Sequence, residues 1–334
     1  MSALAPPVEP MARTRVLDSV GRYLRRDPWI LGLVALLAGL LVATKLINPN
    51  YGTFDLGSLA IAALPVALAA VAQAVAVISG GIDLSVGSIM ALTSVTAARL
   101  MQDSSEEFAI LAVIAVLVMG LLIGAVNGVL VVVSRVPDIV VTLATSYVWA
   151  GAALLVLNTP GGGAADWLKD LSRGPFLTDW IPRSLVLLAV AVAVVWIPLR
   201  RSRLGLSIYA VGSDRLAAFR IGVAVGRTRI AAYAITGLFA GAGGIALTMT
   251  TGIGTPIPGP YLLLSVAAIV LGGVSLAGGQ GTIIGPILAV FVLALMRADL
   301  TFLGIDPNFS TVIQGVIMVV VVMIGAFLTL RRSA

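Results

Sequence analysis

The chain has 334 residues, of which 59% are hydrophobic and 11% charged, with a formal net charge of +6 and a mean hydropathy of +1.09. A soluble domain of this length needs far less apolar surface, so lipid is the expected solvent for most of the chain. The absence of cysteine and histidine excludes disulfides, thiolate or imidazole metal sites, and Ser-His or Cys-His catalysis.

Met1 to Asp27 carries Arg13, Arg15, Arg22, Arg25 and Arg26, and the apolar stretch that follows from Trp29 is longer than a signal-peptide core. Residues 1–28 are therefore expected to form an attached cytosolic tail. Each bilayer crossing takes roughly 20 residues of helix. Ten runs qualify, near 29–47, 58–79, 84–101, 109–133, 139–157, 184–199, 229–250, 261–276, 282–297 and 311–330. The expected fold is all-α: a polytopic membrane protein with about ten transmembrane helices over 29–330 and a short tail at 331–334.

Orientation follows from the positive-inside rule. With a cytosolic N-terminus, fifteen of the 21 basic residues fall inside: the five of the first tail, Arg135, seven between Arg200 and Arg229, Arg331 and Arg332. Lys45, Arg99, Lys169, Arg173, Arg183 and Arg297 fall at outer ends or in outer loops. Both termini are thus expected in the cytosol. The pI near 10.2 becomes a topology signal, and nucleic acid is not an expected partner.

The first informative segment inside the membrane is Ser79-Gly80-Gly81-Ile82-Asp83-Leu84-Ser85-Val86-Gly87. Paired glycines end one helix, and Asp83 stands where the next begins. Its carboxylate either accepts the freed backbone N–H groups or lines a transport path with Ser85, Asn127, Thr142 and Thr145. No second ionisable group at depth makes a proton relay with it. Gly120-x-x-x-Gly124 and Gly237-x-x-x-Gly241 suit close helix packing.

Between the fifth and sixth spans, the 158–183 loop holds Pro160-Gly161-Gly162-Gly163, then Asp166, Trp167, Lys169, Asp170, Phe176 and Trp180. That mixture suits a small interfacial helix, serving as a lipid anchor or as a docking surface for an external partner. The hydrophilic segment 200–228 contains Ser213-Asp214-Arg215-Leu216-Ala217-Ala218-Phe219-Arg220, followed by Gly222. Ser213 reads as an N-cap and Leu216, Phe219 and Arg220 share one face, which predicts a short amphipathic helix rather than a passive linker. A second glycine-rich break, Gly272-Gly273-Val274-Ser275-Leu276 with Gly278, Gly279 and Gly281, echoes the first and suggests an internal repeat.

A phosphate-binding loop needs a lysine after a glycine-rich turn, and the only lysines are Lys45 and Lys169, neither in such a setting. The chain carries no nucleotide or metal site of its own, so energised transport needs a partner. A membrane-embedded enzyme would need convergent acids or nucleophiles; Asp83, Ser85, Asn127 and Thr142 are too neutral a set. A secondary carrier acting alone is the other alternative.

Five motifs in order resemble the ribose-type permease subunits of bacterial ATP-driven (ABC) importers: Gly80 to Gly87, the Gly124-x-x-Asn127-Gly128 step, Val141 to Thr145, Ile208 to Asp214 with Ile221-Gly222, and Gly272 to Thr282. The resemblance spans about residues 29–330. It implies an inner-membrane permease that works with a second permease copy, as homodimer or heterodimer. It also implies an extracytoplasmic solute-binding protein and cytosolic ATP-binding subunits that hold the ATP and Mg2+. A monosaccharide would be the usual solute, with nucleosides, autoinducer-2 or branched amino acids as alternatives. The chain departs from the family pattern at Pro137-Asp138-Ile139, Arg297-Ala298-Asp299 and Phe309-Ser310-Thr311.

Overall fold

The computed structural model describes residues 28–257, 259–306 and 308–316, together with 319, 320 and 323. The expected tails at 1–27 and 331–334, and most of the span expected at 311–330, lie outside the described residues. Within them the chain is all-helical, with no strand.

The helices, in order, are α1 (Pro28–Ile47), α2 (Thr53–Ile78), α3 (Val86–Met101), α4 (Glu106–Ser134), α5 (Asp138–Val156), α6 (Asp166–Ser172), α7 (Arg183–Arg201), α8 (Arg203–Ser213), α9 (Arg215–Arg220), α10 (Val225–Thr251), α11 (Tyr261–Leu271) and α12 (Ile284–Phe302). Seven of these, α1, α2, α4, α5, α7, α10 and α12, are long and apolar enough to cross a membrane; α3 and α11 are shorter apolar helices. A further helical stretch begins at 308.

Several helices extend beyond the apolar runs because polar residues start them. Ser105 accepts from Phe108 N ahead of the Glu106-Glu107 first turn of α4, and Gly52 N donates to Asp55 Oδ2 at the start of α2. Helix α11 is shorter than the expected run to 276 because Gly272 and Gly273 end it.

Helix α2 is the axis of the bundle: nearly every residue from Ala63 to Ile78 is buried, Pro65 included. Helix α10 packs along it and along α4. The α4–α10 contact is set by glycines. A Cβ at Gly120 would lie 2.6 Å from Gly237 O, and one at Gly124 would run into Tyr233 O and Gly237. With apolar lipid on every side, such close backbone approach supplies the dispersion contact that holds helices together. Helix α5, by contrast, buries only Thr142, Thr145 and Ala153, and Tyr147 and Leu155 stand exposed.

The two ends of the bundle differ. At one, the 158–183 loop is pinned inward: Gly163 N donates to Ala98 O, Ala164 N to Gly252 O, and Gly161 and Gly254 exchange backbone bonds. Its helix α6 buries Leu168, and the fully exposed Asp166 carboxyl is held below its usual range by Lys169 at 2.6 Å. Phe176, Leu177 and Trp180 remain exposed. The opposite end carries both glycine breaks, α8 and α9.

Candidate functional site

Both glycine breaks close their helices in the same way. Gly80 is left-handed (φ 79°), its N–H bonds Val77 O, and Gly81 N bonds Ala76 O. Gly273 is left-handed (φ 77°), its N–H bonds Val270 O, and Val274 N bonds Ile269 O. Each is a paired-bond helix stop that satisfies the last carbonyls. The turns therefore repeat with Gly80 matched to Gly273, one residue out of step with the Gly-Gly-Ile/Val-x-Leu echo in the sequence. Trp29 closes the second break, its indole N–H donating to Leu271 O at 2.7 Å.

The breaks meet at a third glycine. Gly279 N donates to Ile78 O at 3.0 Å, and Tyr209 of α8 donates its hydroxyl to Gly281 O at 2.9 Å. A Cβ on Gly278 would lie 2.8 Å from Gly80 Cα, and one on Gly212 would strike Ile78 O and Gly279 N. Gly80, Gly212 and Gly278–Gly279 thus form one junction between α2, α8 and the α11–α12 turn. Gly212 stands inside a sequence motif, but nothing local marks it as the contact.

Three of the five candidate path residues, Asp83, Ser85 and Asn127, join one buried network, and Thr142 bonds the backbone beside it. Asp83 Oδ1 accepts from Ser85 N at 2.8 Å and from Ser85 Oγ at 2.6 Å. Ser85 Oγ accepts from Asn127 Nδ2 at 2.7 Å, and Asn127 Oδ1 accepts the indole N–H of Trp149 at 3.1 Å. Thr142 Oγ1 accepts from Leu84 N at 3.0 Å and faces Ile82 O at 3.1 Å. Thr145 bonds only its own helix, at Thr142 O. Asp83, Ser85, Asn127 and Thr142 are fully buried, and the second carboxylate oxygen of Asp83 has no partner among the described residues. Gly87 sits buried in the first turn of α3.

The 200–228 segment holds two helices rather than one. Ser213 ends α8, donating its hydroxyl back to Tyr209 O, because Ile208, Val211 and Gly212 are buried and carry the helix through to that point. The N-cap expected at Ser213 falls instead on Asp214, whose Oδ1 accepts from Leu216 N at 2.8 Å and Ala217 N at 3.0 Å. Ala218 is buried, whereas Leu216 and Phe219 are 58% and 69% exposed. Gly222 (φ 88°) ends α9 with the same paired bonds seen at Gly80.

Sequence reasoning missed a charge cluster beside these turns. The Asp138 carboxylate pairs with Arg229 of α10, accepts the Tyr233 hydroxyl at 2.9 Å, and lies 3.9 Å from Arg215 of α9. Arg215 Nη2 also donates to Gly80 O at 2.6 Å. The signal was the charge in Pro137-Asp138, out of place for an otherwise apolar mouth. At the other end, Arg297 lines a cavity of about 390 Å3 with Tyr51, Asp55, Ser58, Thr301 and Gln314.

A buried polar network beside broken helices lies inside a bundle with seven helices long and apolar enough to cross a membrane, the build of a multi-pass membrane protein. Residues 55–322 match the family described as the permease component of the branched-chain amino acid transport system. The chain belongs to this family of ABC-importer permeases, and is a multi-pass protein of the inner membrane. It is similar to the autoinducer 2 import system permease protein LsrD of Escherichia coli K12 and of Shigella flexneri, with 30% identity to each. The protein of that name from Escherichia coli O157:H7 is 29% identical. These matches cover 92% of this chain and 94% of each relative. No solved structure matches.

Proposed function

We propose that this chain forms half of the translocation path of an ATP-driven importer for a small polyhydroxylated solute of the furanose type, with both termini cytosolic and about ten crossings. The observation that carries the importer reading is α9: a capped helix that turns Leu216 and Phe219 outward, in a chain with no phosphate-binding loop. Exposed apolar side chains on a helix at the basic end of the bundle suit a groove in a cytosolic ATP-binding subunit, which would hold the ATP and Mg2+. On this reading residues 29–330 are one transmembrane unit, 200–228 its coupling segment, and 158–183 its extracytoplasmic loop, facing the solute-binding protein.

The solute class is supported by near-full-length similarity to autoinducer-2 permeases. It also suits the hydroxyl and amide groups of Ser85, Asn127, Thr142 and Thr145, which can hydrogen-bond a sugar. On this reading Asp83, Ser85, Asn127, Thr142 and Thr145 line the path. The glycine breaks at Gly80–Gly81 and Gly272–Gly273, with Gly278, Gly279 and Gly281, let α2 and α11 shift against α8. The exposed face of α5 suits a second permease copy.

The test is co-purification of the permease with its ATP-binding subunit and solute-binding protein, followed by uptake of labelled autoinducer-2 and of ribose into vesicles. Uptake of either that requires ATP inside supports the proposal. Uptake persisting without the ATP-binding subunit overturns it in favour of a secondary carrier.

A further inference from the structure

We infer that Asp138 is a positioning residue that holds the Gly80–Asp83 turn shut, and that Arg215 makes this hold depend on the place of α9. The inference rests on the importer reading only for its consequence; the geometry stands by itself.

Asp138 begins α5, and its side chain is 12% exposed. Its carboxylate is shared by Arg229 and Tyr233 of α10 and is approached by Arg215 of α9. The turn lies directly on this group: a Cβ at Gly81 would sit 2.5 Å from Asp138 Oδ2 and 2.6 Å from the Tyr233 hydroxyl. One helical turn further along α5, Thr142 Oγ1 accepts from Leu84 N. Helix α5 therefore meets the segment on either side of Ile82: Thr142 bonds Leu84 N directly, and the Asp138 carboxylate acts through its partners, Arg215 on Gly80 O and Tyr233, whose hydroxyl lies 3.5 Å from Ile82 O.

Arg215 supplies the connection outward. Its guanidinium bonds Gly80 O at 2.6 Å while its side chain remains 47% exposed. A movement of α9 carries this guanidinium away from both the turn and Asp138. One carboxylate faces two guanidinium groups here, so its neutralisation leaves the buried Arg229 cation without its partner and with the half-exposed Arg215 still nearby. Removal of one partner of a buried ion pair costs more than the pair contributes, because the remaining charge is stranded. The cluster thus has two arrangements, and the position of α9 selects between them. Asp83 is the residue released when the turn opens.

The absence of native cysteine makes the turn accessible to a single-thiol experiment. Ile82→Cys places the only thiol between these two contacts, and its reaction with a charged maleimide is followed in detergent micelles, where neither orientation nor partner matters. Ile82 is half-buried, so the rate in the otherwise unaltered chain is the baseline for comparison. Asp138→Asn and Arg215→Gln are each expected to accelerate it about tenfold or more, as local opening becomes easier, whereas Arg215→Lys, which keeps the charge, stays near the parent rate. Ser94→Cys, buried at the other end of the bundle, reports global loosening and is expected to stay unreactive in every background. Unchanged rates at Ile82→Cys overturn the inference, and so does a parallel rise at Ser94→Cys. Acceleration by Asp138→Asn but not by Arg215→Gln overturns the link to α9. Failure of the importer reading would appear instead as absence of the ATP-binding subunit in co-purification, with these rates unaffected.

Discussion

Asp83 accepts two hydrogen bonds from Ser85 through one oxygen and none through the other. Asparagine reproduces the accepting oxygen and removes the charge; alanine removes both bonds and leaves the Ser85 N–H buried. Asp83→Ala is therefore expected to lower thermal stability by about 1–3 kcal/mol, read as a shifted melting temperature in detergent, while Asp83→Asn stays close to wild type in folding. Equal melting of the two variants would show that the Asp83–Ser85 bonds contribute nothing. Glycines divide by what surrounds them. Gly212→Ala pushes a methyl group into backbone atoms of Ile78 and Gly279, which have no side-chain freedom to yield, whereas Gly39→Ala meets no atom within 4 Å. The first is expected to abolish folded yield or transport; the second, in an exposed helix, gains slightly in helix propensity. Size-exclusion recovery of the two variants compares them directly.

At the scale of the element, α9 has six residues, too few to persist without its cap and its neighbours. Asp214→Ala removes two bonds at its start and is expected to destabilise the segment by about 1 kcal/mol. Phe219→Ala or Ala217→Asp acts on the outward face and leaves the cap intact. Truncation of an aromatic anchor at an interface costs 2 kcal/mol or more, about thirtyfold in affinity. Phe219→Ala is expected to reduce retention of the ATP-binding subunit by about that factor and to uncouple hydrolysis from uptake. Arg227→Gln, an exposed control, is expected to change neither. Normal retention in the Phe219→Ala and Ala217→Asp variants would reduce α9 to a connector.

Across the whole molecule, the α3–α4 turn and the pinned 158–183 loop share one end, and α8, α9 and both glycine breaks the other. Ser104→Cys and Ser202→Cys lie at opposite ends and introduce the only thiol in each case. An impermeant maleimide added to intact cells is expected to label Ser104→Cys and not Ser202→Cys, with the reverse in inside-out vesicles. Labelling of both from one side would end the proposed topology. The exposed apolar faces of α4 and α5 belong to the same scale: Ile114, Leu122, Tyr147 and Leu155 are uncovered in the single chain, and lipid or a second copy covers them in the membrane.

Hydropathy alone determined that this chain is helical and membrane-embedded, because the cost of an unpaired peptide group in lipid leaves a long apolar run few other fates. Seven of the ten expected runs are helices long and apolar enough to cross, those at 84–101 and 261–276 are shorter helices, and some ends differ by about five residues. The glycine stops at Gly80 and Gly273 and the amphipathic segment around Phe219 were legible for a similar reason: each is a local property of consecutive residues. What joins across the chain was not legible. The Asp138–Arg229–Tyr233 cluster, the meeting of Gly80, Gly212 and Gly279, and the assignment of the α9 cap to Asp214 rather than Ser213 depend on which helices lie side by side. A charge or a glycine has the same composition whether its partner is 3 residues or 91 residues away, and only tertiary packing decides which.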